Sequence, residues 1–243
     1  MALRIFLAGA SGAIGRRLVP LLRRAGHTVV GTTRVPEKAE TLRALGAEPV
    51  VVDMFDAETL MRAVAAARPA VVIHQLTDLP PGLDPSRMEE ATARNARIRD
   101  EGTRTLVRAA LGAGARRLVA QSIAWAYAPG PEPHSEEDPL EVNAEGRRGV
   151  TVRGVAALEN RVLNSPPLEG IVLRYGQIHG PGTGADTPRG AAPLHVDAAA
   201  HAALLAVERG APGIYNIAEP NGYITTDKAR RELGFSADFR LPA

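Results

Sequence analysis

Short apolar segments alternate with amphipathic helical patterns through the first half of the chain, and this alternation restricts the folds open to it. Helical patterns such as GRRLVPLLRRAG and ETLMRAVAAA separate five apolar segments, namely RIFLAG, TVVGTT, EPVVVD, AVVIHQ and RRLVAQS. Short buried strands that alternate with helices are typical of a parallel sheet joined by right-handed crossovers. The sequence therefore predicts an α/β protein with a doubly wound parallel sheet.

The second half continues the pattern after a break. Beyond Ser122, the stretch AYAPGPEPHSEEDPL is rich in proline, glycine and acid and predicts a surface loop. A helix, GVAALENRVL, and a strand, GIVLRYG, follow it. Beyond residue 176, the helical patterns HVDAAAHAALLAVE and TTDKARRELGF flank a short strand, GIYNIAE. No linker composition precedes this part, so we expect a core over residues 1–175 and a small lobe over 176–243, integrated into one structural domain.

Composition excludes several classes of function. The chain has no cysteine, which rules out disulfides and thiolate metal sites, and its six histidines show no pair at helical metal spacing with a carboxylate. The 29 basic and 27 acidic residues are interspersed and leave a net charge of +2, which is typical of a solvated surface. No stretch approaches the roughly 20 apolar residues of a membrane span. We expect a cytoplasmic protein with no metal, nucleic-acid or membrane partner.

The motif GASGAIG lies between the first strand and the first helix. Its glycines recur every three residues, so that one allows a tight turn, one lets the backbone approach a diphosphate, and one lets helix and strand pack closely. The helix N-terminus then presents free N–H groups and the positive end of its dipole to the phosphates. The motif predicts a dinucleotide site that includes Gly9, Ser11, Gly12, Ala13, Ile14 and Gly15.

The ends of the next strands bear on the choice between NAD and NADP. The second strand ends in Thr32, Thr33 and Arg34, without the acid that would bind a free ribose diol. Arginine suits a 2′-phosphate through its bidentate fork, which favours NADP over NAD, although arginine is also common at the start of a surface loop. Asp53, beside Met54, follows the third strand, where it either accepts from the adenine amino group or serves as an N-cap or turn residue.

Taken together, segments along nearly the whole chain resemble the extended short-chain dehydrogenase/reductase family, in its NAD-dependent epimerase/dehydratase group. The resemblance is carried by GASGAIG, VVVDMFDAETL, VVIHQLT, EGTRTLVRAA, VLRYGQIHGPGTG, LHVDAAAHAALLAVERGAPGIYNIA and TTDKARRELGF. It implies a Rossmann core with the dinucleotide over the C-terminal edge of the sheet. It also implies a C-terminal lobe that closes on a small sugar-like, carbonyl or alcohol substrate, and it leaves open a homodimer through the helix GVAALENRVL.

The chain departs from this family where proton transfer takes place. The resemblance implies a tyrosine and, four residues later, a lysine that binds the nicotinamide ribose and lowers the pKa of the tyrosine. If Glu159 takes the place of the glutamate that follows them, Val155 stands at the lysine and Thr151 at the tyrosine. No small shift restores the pair, because the two lysines of the chain are Lys38 and Lys228. Arg99 also stands where the family commonly has asparagine.

Other residues are candidates for the chemistry. Ser122 is at, or one residue from, the position where the family has a serine that hydrogen-bonds the reacting oxygen. Tyr127 follows in a loop, where it either overhangs the nicotinamide side or packs in the interior. His179, after the next strand, titrates near neutrality. The lone tryptophan, Trp125, either stacks on a ligand or covers the pocket. At the end of the fourth strand we expect backbone contacts to the dinucleotide from His74, Gln75 and Leu76.

Three functions remain open from the sequence. The first is an atypical NAD(P)-dependent oxidoreductase in which water or Tyr127 supplies the proton. The second is a catalytically silent NADP(H)-binding redox sensor or scaffold. The third is a lyase or isomerase that uses the pocket without the cofactor.

Overall fold

The main sheet of the protein is parallel throughout. A computed structural model describes residues 1–80 and 84–242. Seven strands form the sheet: β1 (Arg4–Ala8), β2 (Thr28–Thr33), β3 (Glu48–Val51), β4 (Val71–His74), β5 (Arg117–Ile123), β6 (Glu169–Tyr175) and β9 (Gly213–Ile217). Their order is β3-β2-β1-β4-β5-β6-β9. The predicted doubly wound fold is confirmed.

Helices cover both faces of this sheet. They are α1 (Ala13–Arg24), α2 (Ala39–Ala44), α3 (Ala57–Ala67), α4 (Met88–Arg97), α5 (Thr103–Gly112), α6 (Gly146–Leu163), α7 (Val196–Glu208) and α8 (Asp227–Leu233). In β1, Ile5 and Leu7 join the core cluster that also holds residues of α1 and α7, whereas Phe6 and Ala8 join the cluster under α3, α5 and α6. This alternation follows from the two-residue period of a strand.

A wide turn of π-helix, Ile98–Gly102, joins α4 to α5. A side chain at Gly102 would lie 2.8 Å from Cγ of Met54, so the glycine lets that turn pack against the end of β3. Turns of this kind are frequent at functional sites. This one carries Arg99, the residue at which the sequence departs from the family's asparagine.

The helix α6 is longer than the pattern GVAALENRVL predicts, because it begins at Gly146. Its buried residues include Val152, Val155, Leu158 and Val162, which recur at intervals of three or four and so share one face. This face packs on the sheet, and α6 therefore positions Thr151 and Glu159 relative to the ends of β5 and β6.

The segment after residue 176 is tied into the core. Strand β9 pairs with β6 at the edge of the main sheet, and α7 packs against α1. Two strands that the sequence does not predict, β7 (Gln177–His179) and β8 (Pro193–His195), form a small parallel pair of their own. Within the residues that the structure describes, none of the helices is long and apolar enough to cross a bilayer.

Candidate functional site

A cleft of about 1000 Å³ opens at the C-terminal ends of the strands. The cleft lies beside β1, where the order of the strands reverses. The strands β2 and β3 lie on one side of β1, and β4 and the later strands lie on the other. Open α/β sheets bind their ligands at this switch point. Following the dinucleotide orientation that the family resemblance implies, we call the part beside β1, β2 and β3 the adenosine half. The part beside β5, β6 and α6, with Arg99, Ser122, Trp125 and Thr151, is the nicotinamide half.

The three motif glycines are required for different reasons. Gly9 has a φ of +89°, and a side chain there would lie 2.6 Å from the carbonyl oxygen of Gln75. A side chain at Gly15 would lie 2.3 Å from the carbonyl oxygen of Gly9. A side chain at Gly12 would meet the same oxygen at an ordinary 3.4 Å. Gly9 and Gly15 therefore satisfy packing within the protein, whereas Gly12 leaves open space in the cleft.

The motif fits a diphosphate. Gly12 is the N-cap of α1, and no acidic side chain stands in the first turn of that helix. The loop is held from β2, because Oγ1 of Thr32 accepts from the backbone N–H of Gly9 at 3.1 Å. The free N–H groups at the start of α1 are therefore directed to a cleft that has room for an anion.

Most residues predicted to bind the dinucleotide line the cleft. Those that do are Gly9, Ser11, Gly12, Ala13, Ile14, Arg34, Asp53, Met54, Gln75 and Leu76. Gly15 and His74 do not line the cleft: Gly15 packs beneath the motif, as expected of its third glycine, and the side chain of His74 is fully buried. At these two positions close packing takes the residue away from the cleft surface.

Arg34 is held by an acid that the sequence does not reveal. Its guanidinium donates to both carboxylate oxygens of Asp78, at 2.6 and 3.1 Å, and Nε of Arg94 donates to Asp78 at 2.8 Å. The hydrogen bond and charge of Arg34 hold the pKa of Asp78 below its usual range. The side-chain amide of Asn95 bonds both the backbone N–H and the carbonyl oxygen of Asp78, each at 3.0 Å. This clamp fixes Arg34 at the adenosine half.

Asp53 makes a turn rather than a helix cap. Its Oδ1 accepts from the backbone N–H of Phe55 at 2.9 Å. The N-cap of α3 is instead Asp56, which accepts from the N–H of Thr59 at 3.0 Å. Asp53 still lines the cleft and its second carboxylate oxygen has no partner among the described residues.

At the end of β4, the histidine and glutamine have separate roles. Nδ1 of His74 accepts from the backbone N–H of Leu76 at 3.2 Å, so its proton lies on Nε2, 3.1 Å from Oγ1 of Thr103. Burial and the charge of Arg99 lower the pKa of His74 to about 4, which leaves the ring neutral. Gln75 donates to the hydroxyl of Tyr175 at 3.3 Å, and its buried Oε1 has no partner among the described residues.

A buried ionic network lies under the nicotinamide half. Ser122 donates to Oε1 of Glu159 at 2.7 Å, and Arg174 binds both oxygens of Glu159, at 2.9 and 2.7 Å. The side chains of Arg174 and Glu159 are 3% and 6% exposed. Burial alone would lower the pKa of Arg174, but the hydrogen bonds and charge of Glu159 raise it. Ser122 lines the cleft, but its proton is already donated to Glu159.

The structure places Tyr127 in the interior, which is the second of the two positions that the sequence leaves open, and not above the nicotinamide. The residue is 1% exposed, does not line the cleft, and donates its hydroxyl to Oδ1 of Asn216 at 2.7 Å. Burial raises the pKa of its phenol. Proton transfer to a substrate would require this hydroxyl to leave Asn216, so we do not assign that role to Tyr127.

His179 also lies away from the cleft. Its Nε2 is 3.0 Å from Oε1 of Glu219, and its ring packs edge-on against His195 with centroids 5.3 Å apart. His195 caps α7 by accepting from the N–H of Asp197 at 3.2 Å. Because Glu219 and His195 enclose it, His179 holds the small β7-β8 pair and does not reach the nicotinamide half.

The helix α6 brings no tyrosine or lysine to the nicotinamide half. Thr151 lines the cleft at the position that the resemblance gives to the tyrosine. Val155, at the lysine position, is fully buried and packs with Ala126 and Val152. The network around Glu159 is not among the predictions from the sequence. One sequence feature indicates it, namely Arg174 in the otherwise apolar strand GIVLRYG, because a buried charge requires a partner.

Comparisons with known proteins bear on the family to which the chain is related. A model of an NAD(P)H-binding family matches residues 9–163. A 3-diazoavenalumate denitrifying reductase from Streptomyces sp is 46% identical over 239 residues, which span 89% of this chain and 76% of that protein. A dTDP-4-dehydrorhamnose reductase from Streptomyces griseus is 31% identical over 179 residues, which span 74% of this chain and 51% of that protein.

Solved structures share the fold. UDP-glucose 4-epimerase of Thermotoga maritima, solved with UDP-glucose, has a TM-score of 0.79 and 19% identity over 97% of this chain and 94% of that one. WbmG of Bordetella bronchiseptica, solved with NAD and UDP, has a TM-score of 0.76 and 19% identity over 99% and 91% of the two chains. At this identity the likeness concerns the fold alone.

Proposed function

Because this chain belongs to the NAD(P)H-binding family of extended short-chain dehydrogenases/reductases, we propose that it is a nicotinamide-dependent reductase. Its substrate would accept a hydride without needing a proton from the protein. The observation that carries this proposal is the nicotinamide half of the cleft, where Thr151 and a buried Val155 replace the usual acid–base pair.

The residues of the adenosine half would hold the cofactor. The N–H groups after Gly12 would bind the diphosphate, and Asp53 would receive the adenine amino group. Arg34 and Lys38 both line this half and would bind a 2′-phosphate, so we propose NADP(H) as the preferred cofactor. When bound, the reduced nicotinamide supplies a hydride.

Side chains in the nicotinamide half are poorly suited to proton transfer. Ser122 donates to Glu159, and the hydroxyl of Tyr175 donates to the carbonyl oxygen of Ala199 at 3.2 Å. Burial raises the pKa of Tyr175. Among the described residues that line this half there is no histidine or lysine. Reduction of a carbonyl would therefore take its proton from water. An acceptor that loses a leaving group when it accepts the hydride would need no proton.

A diazo compound meets this requirement. The 46% identical relative is, by its name, a denitrifying reductase of 3-diazoavenalumate. When an arenediazonium group accepts one hydride and loses dinitrogen, the product is the arene, and atoms and charge balance without a proton from the enzyme. We propose an arenediazonium, or the equivalent diazoquinone, as the substrate class of this protein.

The walls of the nicotinamide half favour an aromatic anion. Trp125, the chain's one tryptophan, lines the cleft, and so do Arg147 and Arg189. Neither arginine has a hydrogen-bond partner among the described residues, whereas Arg148 pairs with Glu141. The described carboxylates that line the cleft, Asp53 and Asp78, lie at the adenosine half. A carboxylated arene would stack on the indole and bind these arginines.

The assay that tests the reaction uses a carboxylated arenediazonium salt and NADPH. We expect loss of NADPH absorbance and release of dinitrogen above the rate without protein, with the arene as product. A panel of aldehydes, ketones and sugar nucleotides is run in parallel. Reduction of a carbonyl but not of the diazonium would reject the proposed acceptor. Binding of NADPH without any reduction would instead favour a redox sensor, and failure to bind NADPH or NADH would favour a lyase or isomerase.

The cofactor preference has a separate test. Arg34→Ala should weaken NADPH binding by about tenfold, because a charged hydrogen-bonding partner of the 2′-phosphate is lost, and should leave NADH binding within about twofold. Arg43→Ala is the control, because Arg43 is an exposed residue of α2 that pairs with Glu40 and does not line the cleft. Equal losses for both cofactors would contradict the preference.

A further inference from the structure

Arg99 lies in the nicotinamide half but comes from a different element than α6. Arg99 belongs to the turn of π-helix, Ile98–Gly102, between α4 and α5. This turn is bonded to α6, because Nε of Arg161 donates to Asp100 at 3.1 Å. The side chain of Arg99 lines the cleft together with Ser122 and Thr151. The fold therefore brings a cation close to Ser122 and Thr151, although α6 has a buried valine, Val155, at the lysine position.

The guanidinium of Arg99 has no hydrogen bond or ion pair with any residue in the described parts of the chain, 1–80 and 84–242. Glu159, the carboxylate whose charge acts on it, is already occupied by Arg174 and Ser122. Burial lowers the pKa of Arg99 to about 10, so it remains a cation at neutral pH. A partly buried cation with unused donors is costly unless a ligand pairs with it.

We propose that Arg99 binds the nicotinamide-ribose end of the dinucleotide, in place of the lysine for which α6 has Val155. Its donors fit the hydroxyls of a ribose and the oxygens of the adjoining phosphate. This inference rests on the cofactor part of the proposed function and not on the acceptor that is reduced. Arg99 acts here as a positioning residue that holds the nicotinamide over the strand ends.

Calorimetric titration of the purified protein tests this role with two probes. One is NADPH, and the other is adenosine 2′,5′-bisphosphate, which lacks the nicotinamide ribose and its phosphate. Arg99→Met should weaken NADPH binding by about tenfold or more, because hydrogen bonds from a charged donor are lost. It should leave binding of the bisphosphate within about twofold, and Arg99→Lys should restore part of the NADPH affinity.

Two further measurements separate binding from a structural role. Arg104→Met is the control, because Arg104 is exposed on α5 and lies outside the cleft, and it should change neither titration. The thermal midpoint of ligand-free Arg99→Met should equal or exceed that of the parent, since no partner loses a bond.

Three results would overturn the inference: unchanged NADPH affinity in Arg99→Met, an equal loss for both probes, or a lowered midpoint of the ligand-free variant. A parent protein that binds NADPH but reduces no diazonium would refute the proposed reaction and leave this inference standing.

Discussion

In the adenosine half of the cleft the backbone forms the binding surface, whereas buried side chains support the nicotinamide half. The first depends on Gly9, Gly12 and Gly15, where a single added methyl group would collide with backbone or occupy the space for a ligand. The second rests on the bonds among Ser122, Glu159 and Arg174. Backbone geometry tolerates few substitutions, but a side-chain network can be exchanged for another. The groups available for proton transfer can therefore change while the glycine motif stays the same.

The largest effect is expected from breaking the buried network. Glu159→Gln would leave the buried guanidinium of Arg174 without a counter-charge and should lower the free energy of unfolding by about 3 to 5 kcal/mol. Urea denaturation measures this. Glu58→Gln, which breaks an exposed pair with Arg62 on α3, should cost at most about 0.5 kcal/mol. Similar small losses for both variants would show that the nicotinamide half is not supported by its ionic network.

The same contrast explains how much the sequence could predict. The glycine spacing and strand pattern are local, so the fold and most of the cofactor-lining residues follow from the order of residues along the chain. Arg34 and Asp78 are 44 residues apart, and Ser122 and Glu159 are 37 apart, so their pairing depends on the tertiary fold. The interior position of Tyr127 depends in the same way on its partner Asn216, 89 residues away.

The free energy of unfolding should depend on pH through His74, by about 3 kcal/mol. Burial lowers the pKa of His74 from 6.5 to about 4, so the unfolded chain takes up a proton that the folded protein does not. Stability from His74 is complete above about pH 6.5 and falls as the pH drops toward 4. His74→Asn should flatten the curve of unfolding free energy against pH between these values. The other histidines with lowered pKa values, His27, His195 and His201, are present in both proteins, so the difference between the two curves reports on His74. An unchanged slope would show that His74 already titrates normally in the folded state.

In the adenosine half, Gly12→Ala should separate binding from folding. The added methyl group meets the protein only at an ordinary distance but occupies the space for the diphosphate. We expect NADPH affinity to fall about 100-fold, which is about 2.7 kcal/mol, while the thermal midpoint stays close to that of the parent. Gly112→Ala, where a methyl group meets no atom within 4 Å, should leave NADPH affinity unchanged and should not lower the thermal midpoint. Normal NADPH binding by Gly12→Ala would show that the backbone at Gly12 does not form the binding surface of the adenosine half.

The smallest effect is expected at Thr151, and its size decides whether α6 takes part in proton transfer. Thr151→Val keeps the shape of the side chain but removes the hydroxyl that stands at the tyrosine position. If the acceptor needs only a hydride, turnover of the arenediazonium should change by less than about twofold, since an acid–base group would contribute about 100-fold or more. The rate should also be flat from about pH 6 to 9, because burial moves the pKa of His74 below this range and that of Tyr175 above its usual value. A large loss of turnover in Thr151→Val, together with a pH-dependent rate, would show that α6 does take part in proton transfer. The nicotinamide half would then lack the usual residues but keep the usual chemistry.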